Sequence, residues 1–146
     1  MKVFTIGFTK KSAEEFFNLI KNSGTKRVID VRLNNTSQLS SFAKQDDLKY
    51  FLKELCHVDY LHLLELAPTE QVLTPYRHKE HNWQQFRDEF LKLMQERQIE
   101  KHLDKKLVDQ SCLLCGEEKP DHCHREFIIE YLQSHWKQKI EVEHLI

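Results

Sequence analysis

Cys112-Leu-Leu-Cys115-Gly-Glu-Glu-Lys-Pro-Asp-His-Cys123-His-Arg-Glu126 holds three of the four cysteines in this chain of 146 residues. It begins as a short apolar run, passes through a polar turn, and continues into a segment whose Phe127, Ile128, Tyr131 and Leu132 recur at helical spacing. A strand running through a glycine turn into a helix is the repeating unit of an α/β fold.

Outward from this unit the same alternation recurs. Val3-Phe4-Thr5-Ile6 is a first strand ending at Gly7, and Ser12 with Glu15 three residues later is a capping box for a helix carrying Phe16, Leu19 and Ile20. Arg27–Val31 is a short buried strand. Leu48, Phe51, Leu52 and Leu55 match one helix face, and Val58–His62 is a third strand. From Glu65 to Asn82 the pattern dissolves into a connection punctuated by Pro68 and Pro75, expected as a loop or flap. Trp83, Phe86, Phe90, Leu93 and Met94 mark a longer helix toward Arg97, whose face is expected to be exposed, and a polar segment follows to Lys106. Ile140–Ile146 alternates as an edge strand. The expectation is one α/β domain over residues 1–146: a Rossmann-like three-layer α/β/α sandwich with a mostly parallel sheet of about five strands.

Composition excludes several classes. Lys plus Arg number 22 and Asp plus Glu 23, so no global basic field marks the chain as a duplex binder. No apolar run reaches the ~20 residues of a membrane span, and the first residues read as a strand rather than a signal peptide. These features predict a soluble, cytoplasmic protein with cysteines held reduced. The chain has only three glycines, Gly7, Gly24 and Gly116, each where an element changes, which predicts positive φ or close backbone approach.

In open parallel sheets, ligands bind beyond the carboxyl ends of the strands. Gly7-Phe8-Thr9, Asp30-Val-Arg32, Tyr60-Leu-His62 and Cys115-Gly-Glu117 all fall at that edge. Asp30 and Arg32 share a strand face, either as an anion clamp with its orienting carboxylate or as a simple ion pair. Cys123, at a helix start beside His124 and Arg125, is a candidate thiolate nucleophile or redox thiol, or else an inert core cysteine. Cys115 is the second candidate thiol, and Glu117 or His124 is a candidate for proton transfer. Four N/S ligands are present in Cys112, Cys115, Cys123 and His124, but strand positions three apart point to opposite faces, so no metal site is expected. His78 and His81 are expected at the surface, and Trp83 and Phe86 in the core.

The ordered motifs Thr5-Ile6-Gly7, Val28-Ile-Asp30-Val-Arg32, Ser37 with Phe42, Tyr60-x-His62-x-x-Glu-Leu66, and Leu114-Cys115-x-Glu117-x-x-Pro120-x-x-Cys123-His124-Arg125 resemble the family called domain of unknown function 488. The resemblance implies that Cys115, Glu117, Cys123, His124 and Arg125 share one site with Asp30 and Arg32. The family commonly has His-Ser after the first glycine, where this chain has Phe8-Thr9. It has a proline where this chain has Asn35, and Leu-Gly where this chain has Leu66-Ala67.

Three readings are open. In the first, the chain is a small enzyme in which Cys123 or Cys115 reacts while Gly7, Thr9, Asp30, Arg32 and Arg125 hold a small anion, such as a phosphorylated or nucleotide-like substrate. In the second, the same arginines and Tyr76-Arg77-His78 bind a nucleotide or nucleic acid without turnover. In the third, the Cys/His cluster binds metal. The sequence names no cofactor and no oligomeric state.

Overall fold

The computed structural model describes residues 1–36, 42–116 and 123–146. Five strands, β1 (Lys2–Gly7), β2 (Arg27–Asp30), β3 (Asp59–His62), β4 (Ser111–Cys115) and β5 (Glu141–Leu145), form one all-parallel sheet in the order β3-β2-β4-β1-β5. The alternating C-terminal segment takes the outer position beside β1, as its pattern of apolar and charged residues requires.

The connections run in two directions across the sheet, and right-handed crossovers then place helices on opposite faces. Helices α1 (Ala13–Ser23) and α2 (Gln45–Phe51) cover one face. There Phe16, Phe17, Ile20 and Leu48 pack with Val28, Cys112 and Leu114. A π-helical turn over Leu52–Cys56 extends α2. The other face takes α4 (Trp83–Glu96) and α7 (His124–Trp136), whose Phe86, Phe90, Met94, Phe127 and Leu132 pack with Ile29, Val31, Leu113 and Cys115. Period-two alternation in β4 divides its residues between the two cores.

Local signals explain the helix starts. Ser12 Oγ accepts from the Glu15 N–H at 3.1 Å. Asn82 and Gln85 form a reciprocal capping box at the start of α4. Gly24 closes α1 at φ 90°, the left-handed geometry that glycine adopts without a Cβ penalty.

Four expectations are corrected. The connection from Glu65 to Asn82 is not a bare loop: a 3₁₀ turn spans Leu64–Leu66 and an α-helix, α3, spans Glu70–Arg77. Pro75 reads as a breaker, yet late in a helix it removes only one intrahelical bond. The Thr69 hydroxyl caps the start by accepting from the Val72 N–H at 3.3 Å. Arg97 is half-buried rather than displayed, and its Nη1 donates to the carbonyl oxygens of Leu64, Glu65 and Ala67 at 3.3, 2.7 and 2.8 Å, tying down the turn ahead of α3. Gly116 has no positive φ, and an added Cβ there would meet only Phe8 Cε1 at an ordinary 3.7 Å. The fourth concerns the cysteines: Cys115 and Cys123 are joined in a disulfide, because the end of β4 and the start of α7 return to one place.

Short helices α5 (Ile99–His102) and α6 (Lys105–Val108) complete the polar segment before β4. Among the described residues no helix is long and apolar enough to cross a membrane.

Candidate functional site

Register places the carboxyl ends of the strands side by side: Gly7 pairs with Cys115, and Asp30 lies between Leu114 and His62. Beyond this edge is a cleft of about 250 Å³. Its walls include Arg32 after β2, Phe8 after β1, Cys115 and Gly116 at the end of β4, and Cys123 and His124 at the start of α7. Tyr76 and Arg77 from α3 and Phe86 from α4 close the far side. A larger hollow at α1 and β5 is lined by Glu14, Glu15 and Glu143, and none of the candidate residues reaches it.

Arg32 is the most constrained of these side chains. Nε donates to Asp30 Oδ1 at 2.8 Å and Nη2 to Asp30 Oδ2 at 2.7 Å, a bidentate fork with both residues buried. The Arg32 backbone N–H also reaches Oδ1 at 3.1 Å, and Nη2 donates to the Ala43 carbonyl at 2.7 Å. Nη1 is buried and has no hydrogen-bond partner among the described residues. The guanidinium carbon lies 5.4 Å from the centroid of the Phe8 ring, so the aromatic face supports the cation where the family commonly has histidine.

Asp30 is fixed from its other side. The Tyr60 hydroxyl donates to Oδ2 at 2.6 Å, and Asn35 Nδ2 donates to Oδ2 at 3.2 Å and to the Tyr60 oxygen at 3.1 Å. Burial alone would raise the Asp30 pKa. The Arg32 hydrogen bonds and charge, aided by Tyr60, outweigh it and hold the carboxyl below its usual 3.8. The same carboxylate and burial push the Tyr60 hydroxyl well above its ordinary value.

Cys123 is the N-cap residue of α7, with extended backbone and no side-chain cap bond. Its disulfide partner Cys115 ends β4, and both are almost fully buried where they meet the cleft. Cys112 belongs to the opposite core, and burial raises its thiol pKa far above the ordinary value. It therefore does not join Cys115 as a ligand pair. Among the described residues no group of three or more His, Cys, Asp and Glu side chains is placed to hold a metal ion.

His124 is half-buried, and its Nε2 lies 2.6 Å from the Val31 carbonyl oxygen. Burial lowers its pKa to about 4, so the ring is neutral near pH 7. A carbonyl only accepts, which puts the ring proton on Nε2 and leaves Nδ1 as a hydrogen-bond acceptor. His62 Nε2 is held in the same way by the Arg32 carbonyl at 2.7 Å.

Of the residues singled out from the sequence, Arg32, Cys115, Cys123 and His124 line the cleft together. Arg125 does not: it is fully buried behind the helix start, close enough for its charge to act on Cys112 and His124. Gly7 and Thr9 sit beneath the rim, where the Thr9 backbone N–H and hydroxyl both donate to the Gly116 carbonyl and tie the turn after β1 to the end of β4. Glu117 lies outside the described residues, as do Ser37 and Pro120. Asn35 and Tyr60 were not foreseen as partners of Asp30. Tyr60 had a signal in its position at a strand edge, whereas Asn35 was legible only as a departure from the family pattern.

Comparison with curated proteins and with solved structures finds no match to this chain. A family model does match, over residues 12–132, spanning β2, β3, β4, most of α7 and all the cleft's residues except Phe8. The chain belongs to the family described as Domain of unknown function DUF488.

Proposed function

We propose that the cleft binds a small organic anion through Arg32 and that the protein is a small enzyme acting on it with the Cys115 and Cys123 thiols. The observation that carries this reading is the buried Arg32 guanidinium. Three of its hydrogen-bonding directions are consumed by Asp30 and Ala43, and Nη1 has no described partner, in the wall that also holds both sulfurs. An unsatisfied cationic nitrogen costs several kcal/mol, on the order of 1–3 or more, and an anionic ligand offsets that cost.

Asp30 acts as the positioning residue: it fixes the rotamer of Arg32 and balances its charge. His124, neutral near pH 7, offers Nδ1 as a hydrogen-bond acceptor in the same wall. Exposed Arg77 on the rim adds a second positive charge. The aromatic walls, Phe8, Tyr76 and Phe86, favour a ligand with an apolar or flat body over a bare inorganic ion. Phosphorylated and nucleotide-like molecules are the first to test.

Those rings and Arg77 also favour a second reading, a nucleotide-binding module without turnover. Thermal melting in matched ionic strength separates the cases. Nucleoside monophosphates and phosphate should raise Tm in the wild-type protein and not in Asp30→Asn/Arg32→Gln, which removes both charges together. If ligand stabilises both proteins equally, the Arg32 site is wrong. If binding depends on Arg32 while Cys115→Ser and Cys123→Ser leave every activity found in a substrate screen intact, the binding-module reading replaces the enzyme.

A further inference from the structure

Resting on the anion-site reading above, we propose that Cys115 and Cys123 cycle between dithiol and disulfide while the cleft reduces small organic disulfides that carry an anionic group. Two independent features of the fold converge here. The sulfurs of a strand end and a helix N-cap meet in the cleft wall, and the same wall holds Arg32, whose side chain is only 6% exposed and whose Nη1 has no described partner. A disulfide placed in the core for stability alone would have no use for a ligand-sized opening beside it.

The apolar walls narrow the substrate class. Phe8, Leu73, Tyr76 and Phe86 would be unused by an inorganic oxyanion, whereas the body and sulfurs of an organic disulfide pack against aromatic rings. The anionic group then faces Arg32, with Arg77 at the rim.

The chemistry balances without another oxidant. Cys123 is the attacking thiolate, since it caps a thirteen-residue helix whose N-terminal dipole favours negative charge. Its sulfur attacks one substrate sulfur, the substrate S–S bond breaks, and the first thiolate leaves. Cys115 loses its proton to solvent and attacks the Cys123 sulfur of the mixed disulfide, expelling the second thiolate. The substrate gains two electrons and becomes two thiols. The protein loses two and holds the Cys115–Cys123 disulfide, the state seen in the structure. A dithiol reductant restores the starting state.

The test uses reduced, full-length protein carrying Cys56→Ser, which removes the half-buried free thiol and leaves only buried Cys112 outside the pair. The probes are an anionic aromatic disulfide, 5,5′-dithiobis(2-nitrobenzoate), and a neutral one, 2,2′-dithiodipyridine, with rates normalised to 2-mercaptoethanol. The expected result is two equivalents of released thiol per chain and a Cys115–Cys123 linkage in peptide maps. Cys115→Ser should stop at one equivalent with a stable adduct on Cys123, and Cys123→Ser should lose the fast phase.

Asp30→Asn/Arg32→Gln should lower the ratio of the anionic to the neutral rate about tenfold, the loss of one charge-assisted contact. The ratio is the readout because an unfolded chain would react faster with both probes and lose the preference, and the cooperative melting of the variant checks that it is folded. A fast phase retained in Cys123→Ser, or a wild-type protein that keeps a one-equivalent adduct with no internal linkage, overturns the redox cycle even if Arg32-dependent anion binding stands. A linkage that forms while the double variant keeps its full anionic preference overturns the anion site instead.

Discussion

Asp30 accepts from both Nε and Nη2 of Arg32 within a buried pocket of the sheet edge, so the arginine cannot turn without breaking two charge-assisted bonds. The fork aims the guanidinium. Asp30→Ala leaves a buried cation unpaired and should cost about 3–5 kcal/mol in urea denaturation, whereas Asp30→Asn/Arg32→Gln should cost clearly less because no charge is stranded. Equal losses in the two variants would show that the pair is not a coupled unit.

Tyr60→Phe removes only the hydroxyl that donates to Asp30 Oδ2 at 2.6 Å. It should cost about 1–2 kcal/mol by the same measurement, and it should weaken anion-dependent stabilisation less than the double variant does. A Tyr60→Phe protein as stable as wild type would mean that Arg32 Nη2 and Asn35 Nδ2 satisfy that oxygen without the hydroxyl.

Stability should fall with acid in two steps of one sign. The His124 ring refuses a proton until about pH 4, while the unfolded chain takes it up near the ordinary 6.5, so stability drops as pH falls through that window. Asp30 contributes stability that is present above 3.8 and lost as pH falls through its lower folded value. The slope of unfolding free energy against pH between 6.5 and 4 should be shallower in His124→Gln than in wild type. An identical slope would place the titrating groups elsewhere.

The disulfide closes a loop with a sequence separation of 8. Loop-closure entropy predicts roughly 2–3 kcal/mol from such a link, or a Tm lower by roughly 5–10 °C after reduction. Without reductant, alkylation should label half-buried Cys56 and spare Cys115 and Cys123. After reduction Cys123 should label next, and buried Cys112 last. Labelling of Cys123 in unreduced protein would show that the pair is open in solution.

Legibility from the sequence followed the physics of each signal. Strands β1, β2 and β4 are built on apolar runs ended by glycine or a polar residue, and α1 and α4 carry both a cap and a 3.6-residue stripe, so their alternation could be read directly. Helix α3 could not. Its eight residues contain Pro75 and no fully buried side chain, and its helicity depends on Thr69 and on packing against α4.

At the site, Arg32, Cys115, Cys123 and His124 could be brought together from the rule that strand ends converge, which needs only the strand order. The placement of Arg125 could not, because the first turn of a helix can aim a side chain at the cleft or at the core, and only the rotation of α7 decides between them. The Cys115–Cys123 pairing was hidden for a related reason: eight residues separate the two, and only the path of the chain between them sets whether the sulfurs meet.

A crystal structure of the protein grown with phosphate or a nucleoside monophosphate would show whether Arg32 holds an anion. The anionic group should lie within hydrogen-bond distance of Arg32 Nη1, with the ligand body against Phe8 and Tyr76 and the Cys115 and Cys123 sulfurs in the same cleft wall. A fully occupied ligand elsewhere, with Nη1 satisfied by a backbone carbonyl of the protein itself, would contradict it.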